Sequence, residues 1–161
     1  MSEKDKRLEE LMEIQRERAF LAKWLARLFG AVDCEIEDNR LKLIFARWID
    51  LEGYLSTGSD YIYIKLPLNN ETKKIWDAMS QVRFKSFMEK AGFPKAKRRE
   101  TGFVLPIDEV VSKREVIRSL LEDIVEVLNR VAFRVLSTLT DEYVQAWLAS
   151  QAIKEEKKET E

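Results

Sequence analysis

From Val116 to Leu136, apolar side chains return every three or four residues. Ile117, Leu120, Leu121, Ile124, Val127, Leu128, Val131 and Val135 mark out one face of a helix. A second set, Val116, Val125, Ala132, Phe133 and Leu136, widens that face well beyond one stripe. The polar remainder is narrow: Arg118, Glu122, Glu126, Arg130 and Arg134, each four residues from the last. So apolar a helix needs partners on more than one side, or a second copy of itself. Ser112 and Glu115 have capping-box spacing and predict its start. A break at Leu136 to Leu139 is expected next. Thr140 or Asp141 then caps a final helix carrying Tyr143, Val144, Trp147, Leu148 and Ile153.

Residues Ser2 to Phe29 contain no Gly or Pro and predict a long first helix. Its charged first half carries Leu8, Leu11 and Met12, enough for an oligomerisation seam. Its second half is strongly apolar, and Gly30 suits the left-handed position that ends a helix. Val32 to Phe45 then folds about Asp38-Asn39 as a two-residue hairpin. In that register Ile36 faces Leu41, Cys34 faces Leu43 and Val32 faces Phe45. On the other side Glu35 meets Lys42 and Glu37 meets Arg40. The acidic cluster Asp33, Glu35, Glu37 and Asp38 therefore predicts a solvated sheet face and no metal site.

From Ala46 to Asp60 a bulged strand end or short helix, then a turn at Gly58-Ser59, is expected. Tyr61 to Leu66 reads as a central strand, apolar on both faces and ended by Pro67. Asn69 or Asn70 caps a helix running to about Ala91, with Ile75, Met79, Val82, Phe87 and Met88 on its buried side and Gly92 closing it. Thr101 to Leu105 is a last short strand ended by Pro106. The fold expected is α+β: a small antiparallel sheet of three to four strands against long helices, in the order α-β-β-β-α-β-α-α.

The stretch Phe45-Ala46-Arg47-Trp48-Ile49-Asp50-Leu51-Glu52-Gly53 resembles the signature helix of LAGLIDADG homing endonucleases. In that family the motif's last acidic residue, before the Gly, binds the catalytic metal, and here that position is Glu52. The resemblance implies a homodimeric DNA-cleaving enzyme. It covers nine residues, with bulky side chains at most of the motif's small packing positions. More generally, a carboxylate-only metal nuclease would draw on Asp50, Glu52, Asp60 and Lys65.

The 161 residues suit one domain over residues 1–153, with a charged tail at 154–161 expected to fray. Charged residues make up 35% of the chain, yet Lys+Arg 28 against Asp+Glu 29 leaves a net charge of -1. That mixture, with no His, points to a heat-adapted surface of ion-pair networks. It also removes imidazole bases, Ser-His and Cys-His nucleophiles and histidine metal ligands. The single Cys34 rules out an intrachain disulfide. The five Gly residues lie too far apart for a phosphate-cradling loop. The N-terminus has no signal-type apolar core, and no apolar run approaches the ~20 residues needed to cross a bilayer. A cytoplasmic protein with no cofactor and no membrane contact is expected.

Charge is unevenly spread. Glu71 to Glu100 holds nine basic residues against four acidic ones, about +5 in a chain of net -1. Its densest part, Lys95 to Arg99, is expected in a loop. Nucleic acid draws much of its affinity from neutralised phosphates. The first expectation is thus a non-enzymatic DNA- or RNA-associated protein, with Lys85, Lys90, Lys95, Lys97, Arg98 and Arg99 on phosphates. The alternatives are an oligomeric interaction subunit, paired through its first and last helices, and the metal nuclease. Phe93 and Phe103 flank the basic stretch at positions that suit the core.

Overall fold

The computed structural model describes residues 2–160, with side chains throughout except at Leu139, Thr140 and 154–160. Helix α1 (Glu3–Leu28) starts at Ser2, whose hydroxyl accepts from the Asp5 amide. It ends where Gly30 takes φ +71°, packed so closely that an added Cβ would sit 2.2 Å from the Arg114 carbonyl oxygen. Strands β1 (Asp33–Ile36) and β2 (Arg40–Ala46) follow as the hairpin. Cys34 lies opposite Leu43, Glu35 opposite Lys42 and Ile36 opposite Leu41. Arg40 closes the turn on Glu37 at 2.5 Å. This register is the one that inward apolar and outward opposite-charge pairing demands.

Beyond β2 the expected bulge and short helix both occur, and the departure is the strand that follows them. After a bulge between Ile44 and Ala46, a single 3-10 turn at Arg47–Ile49 leads into a full strand, β3 (Leu51–Ser56). Strand β4 (Tyr61–Lys65) is followed by α2 (Asn70–Ala78) and α3 (Gln81–Ala91). Then come β5 (Lys97–Arg99), β6 (Gly102–Pro106), α4 (Ile107–Ser112) and α5 (Ile117–Thr160). The sheet is antiparallel throughout, six strands in the order β1-β2-β3-β4-β6-β5. The α+β class therefore stands, while three to four strands becomes six.

Local chemistry explains each difference. The single helix expected from Asn69 to Ala91 is two, because Met79 turns extended (ψ 127°) and the Ser80 hydroxyl, accepting from the Arg83 amide, caps a new start at Gln81. Asn69 does cap α2, in a reciprocal box with Thr72. Ser112 does not open the long helix. It closes α4, its hydroxyl donating to the Glu109 carbonyl, and α5 begins five residues later. No break occurs at Leu136 to Leu139, where α5 runs straight through. Thr138 bonds back to the Arg134 carbonyl at 2.9 Å, so its hydroxyl is satisfied inside the helix without ending it. The expected fraying of 154–161 lies outside the described side chains.

One sheet face meets the helices. Leu43, Phe45, Ile62, Ile64, Phe103 and Leu105 are buried there against Phe29, Trp76, Phe84, Met88, Ile117 and Leu121. Phe93 and Phe103 are both wholly buried, so neither is a base-stacking ring. The opposite sheet face carries no helix. Strand β4 is central, but only Ile62 and Ile64 point inward, while Tyr61 and Tyr63 point to the open side. No helix among the described residues is long and apolar enough to cross a membrane.

Both long helices outrun the body they pack on. Leu8 and Leu11 stand five turns before Ala26 and Phe29, on the same stripe, yet the first pair is exposed and the second buried. On α5, Val135 stands five turns after Ile117, and exposure rises from 0% to 50% between them.

Candidate nucleic-acid interface

Strand β5 is the outer edge of the sheet, and its alternation decides which cations face where. Lys97 pairs with Val104 and Arg99 with Gly102, while Arg98 lies opposite the buried Phe103. Lys97 and Arg99 are exposed, and Arg98 turns inward. Its guanidinium lies 4.8 Å from the Trp76 ring centroid and donates to the Met79 carbonyl. Trp76 Nε1 in turn donates to the Arg99 carbonyl at 2.9 Å, and Lys73 Nζ to the Glu100 carbonyl at 2.8 Å. The hairpin of β5 and β6 is thereby tied to α2. The expected basic loop is a loop only at Lys95 and Ala96. Past them it is a strand, because its carbonyls and Arg98 have partners on α2.

Five of the six cations grouped in the sequence share one feature. Lys85, Lys95, Lys97, Arg98 and Arg99 line a groove of about 520 Å³ between α3 and β5, with no carboxylate in its lining. Among the described residues none of the five forms an ion pair. Lys90, exposed on α3, does not line the groove. Basic side chains on an edge strand also keep another strand from pairing with it, so the arrangement serves the fold as well.

The open sheet face is a second feature, which the sequence pattern did not reveal. The strand registers set Glu35, Lys42, Tyr54, Tyr63, Val104 and Lys97 in one row across all six strands. Beside that row lies a hollow of about 580 Å³. Arg40, Lys65, Tyr54, Tyr61 and Tyr63 contribute to it, with the hydroxyls of Ser56, Ser59 and Thr101, and again no carboxylate lines it. Lys97 Nζ sits 5.9 Å from the Tyr61 centroid and Arg40 lies 4.5 Å over Tyr54. The available signal was the alternation of Tyr61 and Tyr63 with Ile62 and Ile64.

Glu52 is fixed beside this face. It accepts from the Tyr54 hydroxyl at 2.5 Å and pairs with Lys42 at 3.5 Å. The hydrogen bond from Tyr54, more than the Lys42 charge, holds its carboxyl below the usual range. Tyr54 is pushed up to about 12, by burial first and then by Glu52.

These contacts correct the endonuclease resemblance. Residues 45–53 form a strand end, a 3-10 turn and a strand start, not a helix, and Asp50 sits in the left-handed region at φ 51°. The physical reason is that Ile44 and Ala46 are held in the β2–β3 ladder, with Gly53 opposite Leu43. Asp33 pairs with Arg47, Glu35 with Lys42 and Glu37 with Arg40. Among the described residues no group of three or more acidic, cysteine or histidine side chains is placed to hold a metal ion. No family model matches this chain, and neither a curated protein nor a solved structure matches it.

Proposed function

We propose that this is a non-enzymatic nucleic-acid-binding protein that holds phosphates along the groove between α3 and β5. The observation that carries this reading is the groove itself, with Lys85 and Lys95 in its lining, Lys97 and Arg99 at its β5 rim, and no carboxylate. Unpaired cations at a concave surface neutralise phosphates and release counterions, so affinity falls steeply with salt. Arg98 is left out of the phosphate contacts because Trp76 and Met79 already hold it.

The test is fluorescence anisotropy of a labelled oligonucleotide at several salt concentrations. A linear fall of log affinity with log salt is expected. Lys95→Ala with Arg99→Ala should lower the slope by roughly 0.7–0.9 for each phosphate that is no longer neutralised. Salt-independent binding, or none at low salt, would end this reading.

A second reading, compatible with the first, is self-association through α1 and α5. The chain exposes 11784 Å², where a compact monomer of 19.0 kDa exposes about 8,400 Å². The excess of roughly 3,400 Å² is more than each partner of an obligate dimer usually buries. A cytoplasmic setting is supported by the lone, buried Cys34, and a heat-adapted source by the charge-rich composition.

A further inference from the structure

The basic groove and the tyrosine hollow lie on opposite faces of the sheet, and only β5 and its neighbour separate them. Lys97 belongs to both: it lines the groove, and its Nζ lies over Tyr61. From β5 to Tyr63 on β4 is two strand spacings, about 10 Å. Resting on the nucleic-acid reading, we propose that the ligand is a single strand, RNA or DNA. Its backbone leaves the groove, rounds the β5 edge at Lys97 and Arg99, and lays bases on Tyr61 and Tyr63.

Three observations favour this ligand. The first is the placement of the groove and the hollow on either side of an edge only three residues long. A duplex is stiff over about 150 base pairs and cannot bend round that edge, while a single strand can. The second is the make-up of the hollow. Aromatic rings with a polar rim and no carboxylate offer π-faces to bases whatever their sequence. Tyr61 is 41% exposed, and the Tyr63 ring is steadied by a hydrogen bond between its hydroxyl and that of Thr101. The third is continuity of charge. Lys97 and Arg99 stand on the edge, Lys65 follows on β4 beside the tyrosines, and Arg40 on β2 lies at the far side of the hollow. An acidic peptide would use these cations but has no need of the rings.

The experiment uses the full chain and one sequence of about 12 nucleotides, within the usual span of a single-strand site. It is offered as single-stranded RNA, as single-stranded DNA and as duplex, with poly-glutamate as competitor. Either single strand should bind at least about tenfold tighter than the duplex. Tyr61→Ala and Tyr63→Ala should each weaken single-strand binding about tenfold without changing the salt slope. Thermal melts of every variant serve as the folding control. Equal binding of duplex, or tyrosine variants that bind normally while Lys95→Ala with Arg99→Ala does not, overturns the stacking proposal and leaves the groove reading in place. Effective competition by poly-glutamate overturns it in favour of an acidic protein partner. Absence of binding to all three nucleic acids overturns both.

Discussion

The Arg98 guanidinium lies over Trp76, 4.8 Å from the ring centroid, while its neighbour Arg99 faces the other side of the sheet. Two adjacent arginines thus have separate work. Arg98 braces β5 to α2 through the ring and the Met79 carbonyl. Arg98→Ala removes a charge-assisted hydrogen bond, worth about 1.5–3 kcal/mol, and a partly desolvated cation–π contact of about 0.5–1 kcal/mol. The half-buried setting places the expected loss at about 2–3 kcal/mol in a urea titration. Arg99→Ala should stay within about 0.5 kcal/mol and lower nucleic-acid affinity instead. Equal stability losses would show that Arg98 is no brace.

What the sequence made legible was local. The hairpin could be read because its partners lie within a dozen residues and every pair agrees in polarity. Strand β3 was hidden by Gly53, which the fold requires because a Cβ there would come 2.8 Å from the Phe45 ring. Strand β5 has no apolar residue at all. It is a strand because Arg98 finds Trp76, 22 residues away, and no short-range pattern carries that. Chain proximity was enough to group Lys95, Lys97 and Arg99. Lys85 joins them only because the first half of α3 lies beside β5. The open face stayed unseen because which side of a sheet the helices cover is a tertiary outcome. Tyr61 and Tyr63 count as apolar beside Ile62 and Ile64, so only their hydroxyls marked the alternation.

Cys34 should be chemically quiet. It is 4% exposed, and its thiol is pushed up to about 11, by burial first and then by the charges of Asp33 and Glu35. The thiolate is the reactive form. At pH 8 the native chain should therefore react with a disulfide reagent only as fast as β1 opens, and in full only in denaturant. Prompt stoichiometric reaction in native buffer would contradict both the burial and the shift.

The Tyr54–Glu52 pair should narrow the pH range of maximal stability from both ends. Glu52 is held low in the folded chain. Its contribution is present above the ordinary carboxylate value and is lost as pH falls through the depressed one. Tyr54 is an acid raised from 10.0 to about 12. Its contribution is complete below 10 and is lost as pH climbs towards 12, because the unfolded chain releases that proton first. Tyr54→Phe should flatten both limbs in urea titrations run across pH, and should remove the component near 12 from the ultraviolet titration. A variant with unchanged limbs would mean the hydrogen bond contributes nothing to pH dependence.

Self-association has the most direct test, because it concerns the ends of both long helices. On α5, Tyr143, Val144, Trp147 and Leu148 are all exposed, and their spacing gathers them into one patch with Phe133 three turns earlier. A helix standing alone gains little from its own hydrogen bonds and draws its stability from packing. The far part of α5 thus calls for a covering surface, and the stripe of Leu8 and Leu11 on a second copy's α1 is apolar and equally uncovered. Sedimentation equilibrium should give at least twice the chain mass of 19.0 kDa, with little dependence on salt because the interface is apolar. Tyr143→Glu with Trp147→Glu should shift the chain to monomer and lower the far-ultraviolet helix signal, as the unsupported part of α5 melts while the sheet stays folded. If the unsubstituted chain sediments as a monomer with full helix content, α5 stands without a partner and the self-association reading fails. If the double variant remains associated, the interface lies elsewhere on the molecule.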